Sequence, residues 1–185
     1  FTYSYAWAGD AKAIDANLYN AIPSNDVRKG QFYPRVGSYY DLMPINKFYN
    51  DAREIGGQRT ILDDYVYMRV AEMYLLSAEM SAKEGMTIDA QNRLKDLLAQ
   101  RFENATDYSY VNGLIGQDLI DEVYLQTRIE LWGEGKAYLA LKRNQETVVR
   151  GDNHLALVGE SILYNDERLT FVIPQQETLN NPNIN

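Results

Sequence analysis

The sequence contains no cysteine and a single histidine, His154. Without thiols the chain can form no disulfide scaffold, no thiolate zinc site and no cysteine nucleophile. One histidine excludes histidine-rich metal sites and leaves almost no basis for a Ser-His-Asp triad. We therefore predict that the protein is not an enzyme and has no catalytic residues, no metal site and no cofactor. Calcium stays open, because two acidic runs lack the EF-hand pattern but could hold it: Asp63 with Asp64, and 165–167.

Long apolar runs and excess positive charge are also missing. No stretch of about 18 apolar residues occurs, so no segment is expected to span a bilayer. Lys and Arg number 18 against 26 Asp and Glu, a net charge of −8. This balance argues against nucleic acid or an anionic membrane surface as a partner, because phosphate binding requires clustered cations.

Tyrosine is abundant, with 15 residues, and its rigid ring with a polar tip suits amphipathic ligands such as sugars. In the opening segment FTYSYAWAG, aromatic residues alternate and would share one face of a strand. GSYYDL adds an aromatic pair beside a glycine. We predict that these residues bind the ligand by stacking, the alternative being that they are ordinary core residues: Tyr3, Tyr5, Trp7, Tyr39 and Tyr40.

The chain of 185 residues is long enough for one domain, with three parts. Residues 1–63 are loop-rich, with a short helix predicted over 10–20. Apolar periodicity over 64–143 predicts two helical hairpins, with helices at 65–84, 88–102 and 117–131 and a fourth that ends at Arg143. Residues 144–185 are irregular, apart from a strand predicted over 169–173 by alternation and a helical turn over 175–179.

The helix over 65–84 is predicted to be buried among other helices, because it has two apolar faces. Gly85 is expected to end it. Alanines that permit close approach to the next helix resemble a tetratricopeptide-type hairpin. The two faces consist of Tyr67, Ala71, Tyr74, Ala78 and Ala82, and of Val66, Val70, Met73 and Met80.

Charged residues in the helical part are predicted to form ion pairs. Arg69, Glu72 and Glu79 are expected to pair within the helix stack rather than serve a glycosidase. The glycines of LWGEG fit neither phosphate-binding pattern. They favour a helix break across which Arg128 and Glu134 pair.

Several motifs, in order along the chain, resemble the C-terminal portion of the SusD/RagB family of nutrient-binding outer-membrane lipoproteins. RVAEMYLLSAE (69–79) is similar to the family's signature helix, and 90–101 follows with an A-x-x-x-L-x-x-L-x-x-x-R pattern. RIELWGEGKAYLALKR (128–143) and FVIPQQETLNNPNIN (171–185) match later motifs. A D-x-R step within 22–32 and the pair Lys47-Phe48 match earlier ones.

The resemblance implies a mostly α-helical fold, in which tetratricopeptide-like hairpins carry long irregular loops, as the C-terminal part of a SusD-like superhelix. It implies a protein without enzymatic activity that binds glycan at the cell surface and delivers it to a TonB-dependent, SusC-like transporter. It also implies outer-membrane localisation through a lipid anchor that lies outside this chain.

Two alternatives remain open at this point. A protein- or peptide-binding helical module without sugar recognition would leave the candidate aromatic residues scattered or buried. A carbohydrate-active hydrolase would place two carboxylates opposite each other in an open pocket.

Overall fold

The computed structural model describes residues 12–47, 67–181 and 183 and is mostly helical, as predicted. The α-helices are α1 (Ala16–Ala21), α2 (Val70–Lys83), α3 (Thr87–Leu98), α4 (Gly116–Glu130), α5 (Ala137–Asn144) and α6 (Gln175–Asn180). The 3₁₀ helices are Val27–Gln31, Ala105–Gly113 and Glu167–Leu169. Strands β1 (Val148–Val149) and β2 (Ser161–Ile162) pair antiparallel, with Val148 opposite Ile162 and Val149 opposite Ser161.

Helices α2 and α3 form a hairpin joined by a tight turn at Gly85. Gly85 has a φ of +76°, a left-handed conformation that glycine adopts without steric cost. The amide of Met86 donates to the carbonyl of Ser81 at 2.8 Å, and the amide of Gly85 donates to that of Ala82 at 3.1 Å. These two bonds form a Schellman motif, so the predicted helix stop at Gly85 is confirmed.

The main core lies between α2, α3 and α4. Small residues on α2, such as Ala78, are fully buried against the leucines of α3, such as Leu94. Helix α4 contributes Leu119 and Val123, and the connection after α3 contributes Phe102. The alanines therefore allow the close helix approach that the sequence predicted.

A second core joins the N-terminal segment to the end of α4. Ile14, Leu18, Ile22 and Phe32 pack around Ile129, which is fully buried. Helix α4 thus contributes to both cores, because residues of its first turns pack against the α2–α3 hairpin while residues of its last turn face the irregular segment. This packing fixes the loops of the N-terminal segment relative to the helical hairpin.

Only one of the two predicted apolar faces of α2 is buried in the described chain. Val70 is 71% exposed, and Met73 and Met80 are each 44% exposed. The prediction that this helix is surrounded by other helices is therefore wrong for the part of the protein described. Periodicity shows which residues share a face, but whether a neighbour covers that face depends on tertiary packing.

The predicted strand over 169–173 is also wrong. Residues 167–169 form a 3₁₀ helix, residues 170–174 have no regular structure, and Phe171 and Val172 are 85% and 82% exposed. Alternation of apolar residues is insufficient, because a strand also requires a partner for its backbone. The helical turn predicted after Pro174 is confirmed as α6.

Helix boundaries differ from the predictions where local capping decides them. Within the range predicted for the short N-terminal helix, residues 12–15 are not helical. Helix α1 begins at Ala16, because the Asp15 side chain accepts a hydrogen bond from the Leu18 amide at 3.0 Å. Helix α3 ends at Leu98, four residues before the predicted end. Helix α4 lies within one residue of its predicted bounds at both ends.

Candidate functional site

Residues 33–43, here called the tyrosine loop, form a closed loop on the second core. The Tyr33 amide donates to the Met43 carbonyl at 2.9 Å, and the Leu42 amide donates to the Tyr33 carbonyl at 3.1 Å. Leu42 adopts a left-handed conformation with a φ of +62°, and its side chain is buried. The two ends of the loop are therefore joined and anchored, while residues 34–40 are exposed.

Asp41 holds the exposed part of the loop in one conformation. Its Oδ2 accepts hydrogen bonds from the amides of Val36 (3.0 Å) and Gly37 (2.7 Å), and its Oδ1 accepts from the amide and hydroxyl of Ser38. The Ser38 hydroxyl, together with these amides, lowers the Asp41 pKa to about 2. A loop fixed in this way loses little conformational entropy when a ligand binds.

Two of the predicted site residues, Tyr39 and Tyr40, stand on this loop with exposed rings. Tyr39 is 71% and Tyr40 is 44% exposed. Their ring centroids lie 5.3 Å apart in an edge-to-face arrangement, and the Tyr40 ring lies 5.6 Å from that of Tyr33. The three rings form a continuous aromatic surface, the chemistry expected of a stacking platform.

Sequence reasoning did not identify Tyr33 as part of this surface. Its contact with Tyr40 depends on loop closure, which brings residues seven positions apart together, and no local pattern indicates that closure. The other predicted residues, Tyr3, Tyr5 and Trp7, lie outside the described residues.

A salt bridge connects the tyrosine loop to the turn after β1. Arg35 Nη1 donates to both carboxylate oxygens of Asp152, at 3.1 and 2.9 Å. Both side chains are about half exposed or more, so this pair contributes little to stability. It does restrict the position of the loop relative to the neighbouring turn.

A group of ion pairs, here called the buried charge cluster, joins the N-terminal segment to the end of α4. At its centre Glu130 accepts hydrogen bonds from Arg69 Nη1 at 2.8 Å and Arg101 Nη2 at 2.7 Å. Burial raises the Glu130 pKa, but the arginine hydrogen bonds and charges outweigh it and lower the pKa to about 2. The cluster consists of Asp26, Arg28, Lys47, Arg69, Arg101, Glu130 and Glu134.

Arg28 links the cluster to the N-terminal segment although only 1% of its surface is exposed. Its Nη2 donates to Asp26 Oδ2 and to Gln126 Oε1, both at 2.6 Å, and its Nη1 lies 3.3 Å from Glu130 Oε2. A guanidinium buried to this extent is stable only when its donors are satisfied. The D-x-R step of the sequence is thus a structural element that fixes the segment preceding the tyrosine loop.

Glu134 pairs with Lys47 at 2.8 Å and with Arg69 at 2.7 Å. The predicted pairing of Glu134 with Arg128 is therefore wrong. Arg128 instead lies over the ring of Tyr124, 5.7 Å from its centroid. Sequence proximity suggested a partner, but the helix break directs Glu134 toward residues that are distant along the chain.

Glu72 and Glu79, which were predicted to pair within the helix stack together with Arg69, also form ion pairs. Glu79 accepts hydrogen bonds from Arg143 Nε at 2.7 Å and from Lys83 Nζ at 2.8 Å. Glu72 Oε2 lies 3.3 Å from Lys136 Nζ. These carboxylates hold the helices together, so they offer no pair for acid-base chemistry.

Over the residues that the structure describes, no group of three or more acidic or histidine side chains is arranged to hold a metal ion. Of the two acidic runs that left calcium open, 165–167 places Asp166 in a salt bridge with Arg168 at 2.8 Å. Asp63 and Asp64 lie outside the described residues. None of the described helices has the length and apolar content that a membrane span requires.

The model of the SusD family matches residues 28–185 of the chain. A SusD-like carbohydrate-binding protein from Bacteroides vulgatus is similar over 96% of this chain, with 25% identity and a TM-score of 0.68. A SusD superfamily protein from Bacteroides fragilis is similar over 88% of the chain, with 28% identity and a TM-score of 0.60. The chain spans 43% and 34% of the lengths of these two proteins. No curated protein matches it significantly.

Proposed function

Because this chain belongs to the SusD family, we propose that it binds glycans at the cell surface and delivers them to a TonB-dependent, SusC-like transporter of the outer membrane. In this proposal the protein has no enzymatic activity and is held at the membrane by a lipid anchor. Glycan contact takes place, at least in part, on the tyrosine loop.

The exposed aromatic surface of the tyrosine loop carries this proposal. Sugar rings present apolar C–H faces that stack on aromatic rings, and hydroxyl groups that require polar partners at the edge. Tyr39 and Tyr40 offer both ring faces and phenol groups, and the Asp41 hydrogen bonds hold their loop in place before any ligand arrives. Pre-organisation of this kind reduces the entropic cost of binding.

A protein-binding module without sugar recognition is less well supported by the described residues. That alternative predicts aromatic residues that are scattered or buried, whereas Tyr39 and Tyr40 are exposed and in contact. A hydrolase requires two free carboxylates on opposite sides of a cleft. The buried carboxylates Glu79 and Glu130 are instead paired with arginines.

The proposal is tested by affinity electrophoresis against polysaccharides, with the double variant Tyr39→Ala/Tyr40→Ala. Loss of both rings removes the stacking surface, so we expect the dissociation constant for the retarding glycan to rise about tenfold, which corresponds to about 1.4 kcal/mol. Tyr67→Ala is the matched control, because Tyr67 is 76% exposed and lies outside the loop.

Two results would contradict parts of this proposal. If no polysaccharide retards the wild-type protein, glycan binding is wrong and the protein-binding alternative becomes the better explanation. If a glycan retards the wild-type and the double variant equally, glycan binding stands but the tyrosine loop does not contribute to it. Thermal unfolding of each variant verifies that the fold is intact.

A further inference from the structure

A cleft of about 610 Å³ lies beside α1, between residues 24–34 and the turn 103–107. This volume is within the range of small-molecule sites, roughly 300–1,000 Å³. Its aromatic lining includes Tyr19 and Phe32, whose ring centroids lie 6.4 Å apart in an edge-to-face arrangement. Pro34 also lines the cleft and belongs to the tyrosine loop.

The polar groups of the cleft are available to a ligand. In residues 12–47 and 67–181, the side chains of Asn25, Asn104, Glu103 and Asp107 form no hydrogen bond or ion pair. Amides both donate and accept hydrogen bonds, and carboxylates accept them. The combination of these groups with an aromatic lining suits a ligand rich in hydroxyl groups.

The formal charge of the cleft lining is negative, because it contains the carboxylates of Asp26, Glu103 and Asp107 and the single ammonium of Lys29. Lys29 Nζ donates to the carbonyls of Tyr19 at 2.7 Å and Ile22 at 2.8 Å, and lies 4.0 Å from the centroid of the Tyr19 ring. Asp26 is paired with Arg28. The carboxylates of Glu103 and Asp107 are therefore the charges that face a ligand without a partner in the described chain.

We propose that this cleft is a second carbohydrate subsite, which binds uncharged sugars and rejects uronic-acid sugars. The inference rests on the proposed function and adds the class of glycan to it. Hydroxyl groups of a neutral sugar donate to Glu103 and Asp107, whereas the carboxylate of a uronic acid would be repelled by both.

The first test uses a glycan array that carries neutral and uronic-acid oligosaccharides, with the full chain and the double variant Asn25→Ala/Asn104→Ala. Removal of two ligand-facing amides is expected to weaken binding of neutral glycans about threefold to tenfold, as lost hydrogen bonds do. Asn92→Ala is the control, because Asn92 is exposed on α3 and lies outside the cleft.

The second test changes charge without changing shape, by Glu103→Gln/Asp107→Asn. Binding of uronic-acid glycans relative to neutral ones is expected to rise about threefold or more at low salt. This gain should shrink at high salt, because salt screens the repulsion by Glu103 and Asp107 in the wild-type protein. Glu84→Gln/Asp96→Asn alters net charge equally, at exposed positions outside the cleft, and is expected to leave the ratio unchanged.

The possible outcomes distinguish a failure of the proposed subsite from a failure of the proposed function. If the wild-type protein binds no glycan on the array, the proposed function fails and the subsite with it. If neutral glycans bind the wild-type and Asn25→Ala/Asn104→Ala equally, the subsite alone is wrong. If the wild-type protein binds uronic-acid and neutral glycans equally, the proposed selectivity for uncharged sugars is wrong.

Discussion

At the scale of single residues, Asp15 connects two segments that are far apart in sequence. Its Oδ1 caps α1 through the Leu18 amide, while its Oδ2 lies against Gly151. A Cβ at position 151 would lie 2.2 Å from that oxygen and 3.2 Å from Asp15 Cγ. A side chain at position 151 would therefore force the Asp15 carboxylate, which capping holds in place, to move.

Gly151→Ala is expected to destabilise the protein by about 1–3 kcal/mol, because the new methyl group displaces the capping carboxylate. In an Asp15→Ser background the same change should cost much less, since serine still caps the helix but is shorter. Urea unfolding of the four proteins measures the coupling between the two positions. If Gly151→Ala lowered the free energy of unfolding equally in both backgrounds, the clash with Asp15 would not be the cause of the destabilisation.

At the scale of secondary structure, the α2–α3 hairpin depends on the turn at Gly85. A Cβ at this position would meet no atom within 4 Å, so steric contact with neighbours is not the constraint. The constraint is the left-handed backbone, with its φ of +76°. A substitution here therefore lowers stability through the strain of the left-handed backbone, and the neighbouring side chains do not have to repack.

Gly85→Ala is expected to lower the free energy of unfolding by about 1–2 kcal/mol, and Gly85→Asn by less, because asparagine tolerates the left-handed region better. Gly113→Ala serves as the control, since that glycine also has open space around it but no positive φ. Chemical denaturation measures the free energy of unfolding of the three variants and of the wild-type. Equal stability of the wild-type and Gly85→Ala would contradict the role assigned to this turn.

At the scale of the whole molecule, the buried charge cluster joins segments from across the chain. Arg28 and Glu130 are separated by 102 residues in sequence, and Arg69 and Glu134 by 65. Hydrogen bonds from arginine and lysine lower the pKa of Glu130, Glu134 and Glu79, in each case against the effect of burial. Carboxylates with a depressed folded-state pKa stabilise the fold above their unfolded pKa and lose that contribution as pH falls.

Stability is therefore expected to decrease as pH falls from about 5 to about 2, with Glu130 contributing about 3 kcal/mol from its shift alone. Glu130→Gln should lower stability at pH 7 by about 3–5 kcal/mol, because it leaves buried arginines without their partner. The difference in stability from the wild-type should narrow as the pH falls below about 5, because the unfolded wild-type chain then binds a proton at Glu130 that the folded chain does not. Urea unfolding between pH 7 and pH 3 measures this difference.

Glu84→Gln is the control for the acid series, because Glu84 is exposed at the end of α2. The free energy of unfolding of Glu84→Gln is expected to equal that of the wild-type at every pH. If the gap between wild-type and Glu130→Gln stayed constant down to pH 3, titration of Glu130 would not underlie the acid sensitivity.

The sequence alone predicted features that depend on neighbours along the chain. Apolar periodicity located α2 to α5, and Gly85 marked the end of α2, because both signals act within a few residues. Ordered motifs identified the family, which the match over 28–185 confirms. Tyr39 and Tyr40 were selected from composition and a glycine-bounded loop, and their role as ligand contacts stays a prediction.

Only the tertiary structure decided which distant groups meet. The partners of Glu134 are Lys47 and Arg69 rather than the nearby Arg128, and the exposure of Met73 shows that one face of α2 is open in the described chain. The cleft beside α1 likewise combines residues 24–34 with 103–107. Ion pairing, burial and cleft formation depend on distances in space, and a single sequence records only positions along the chain.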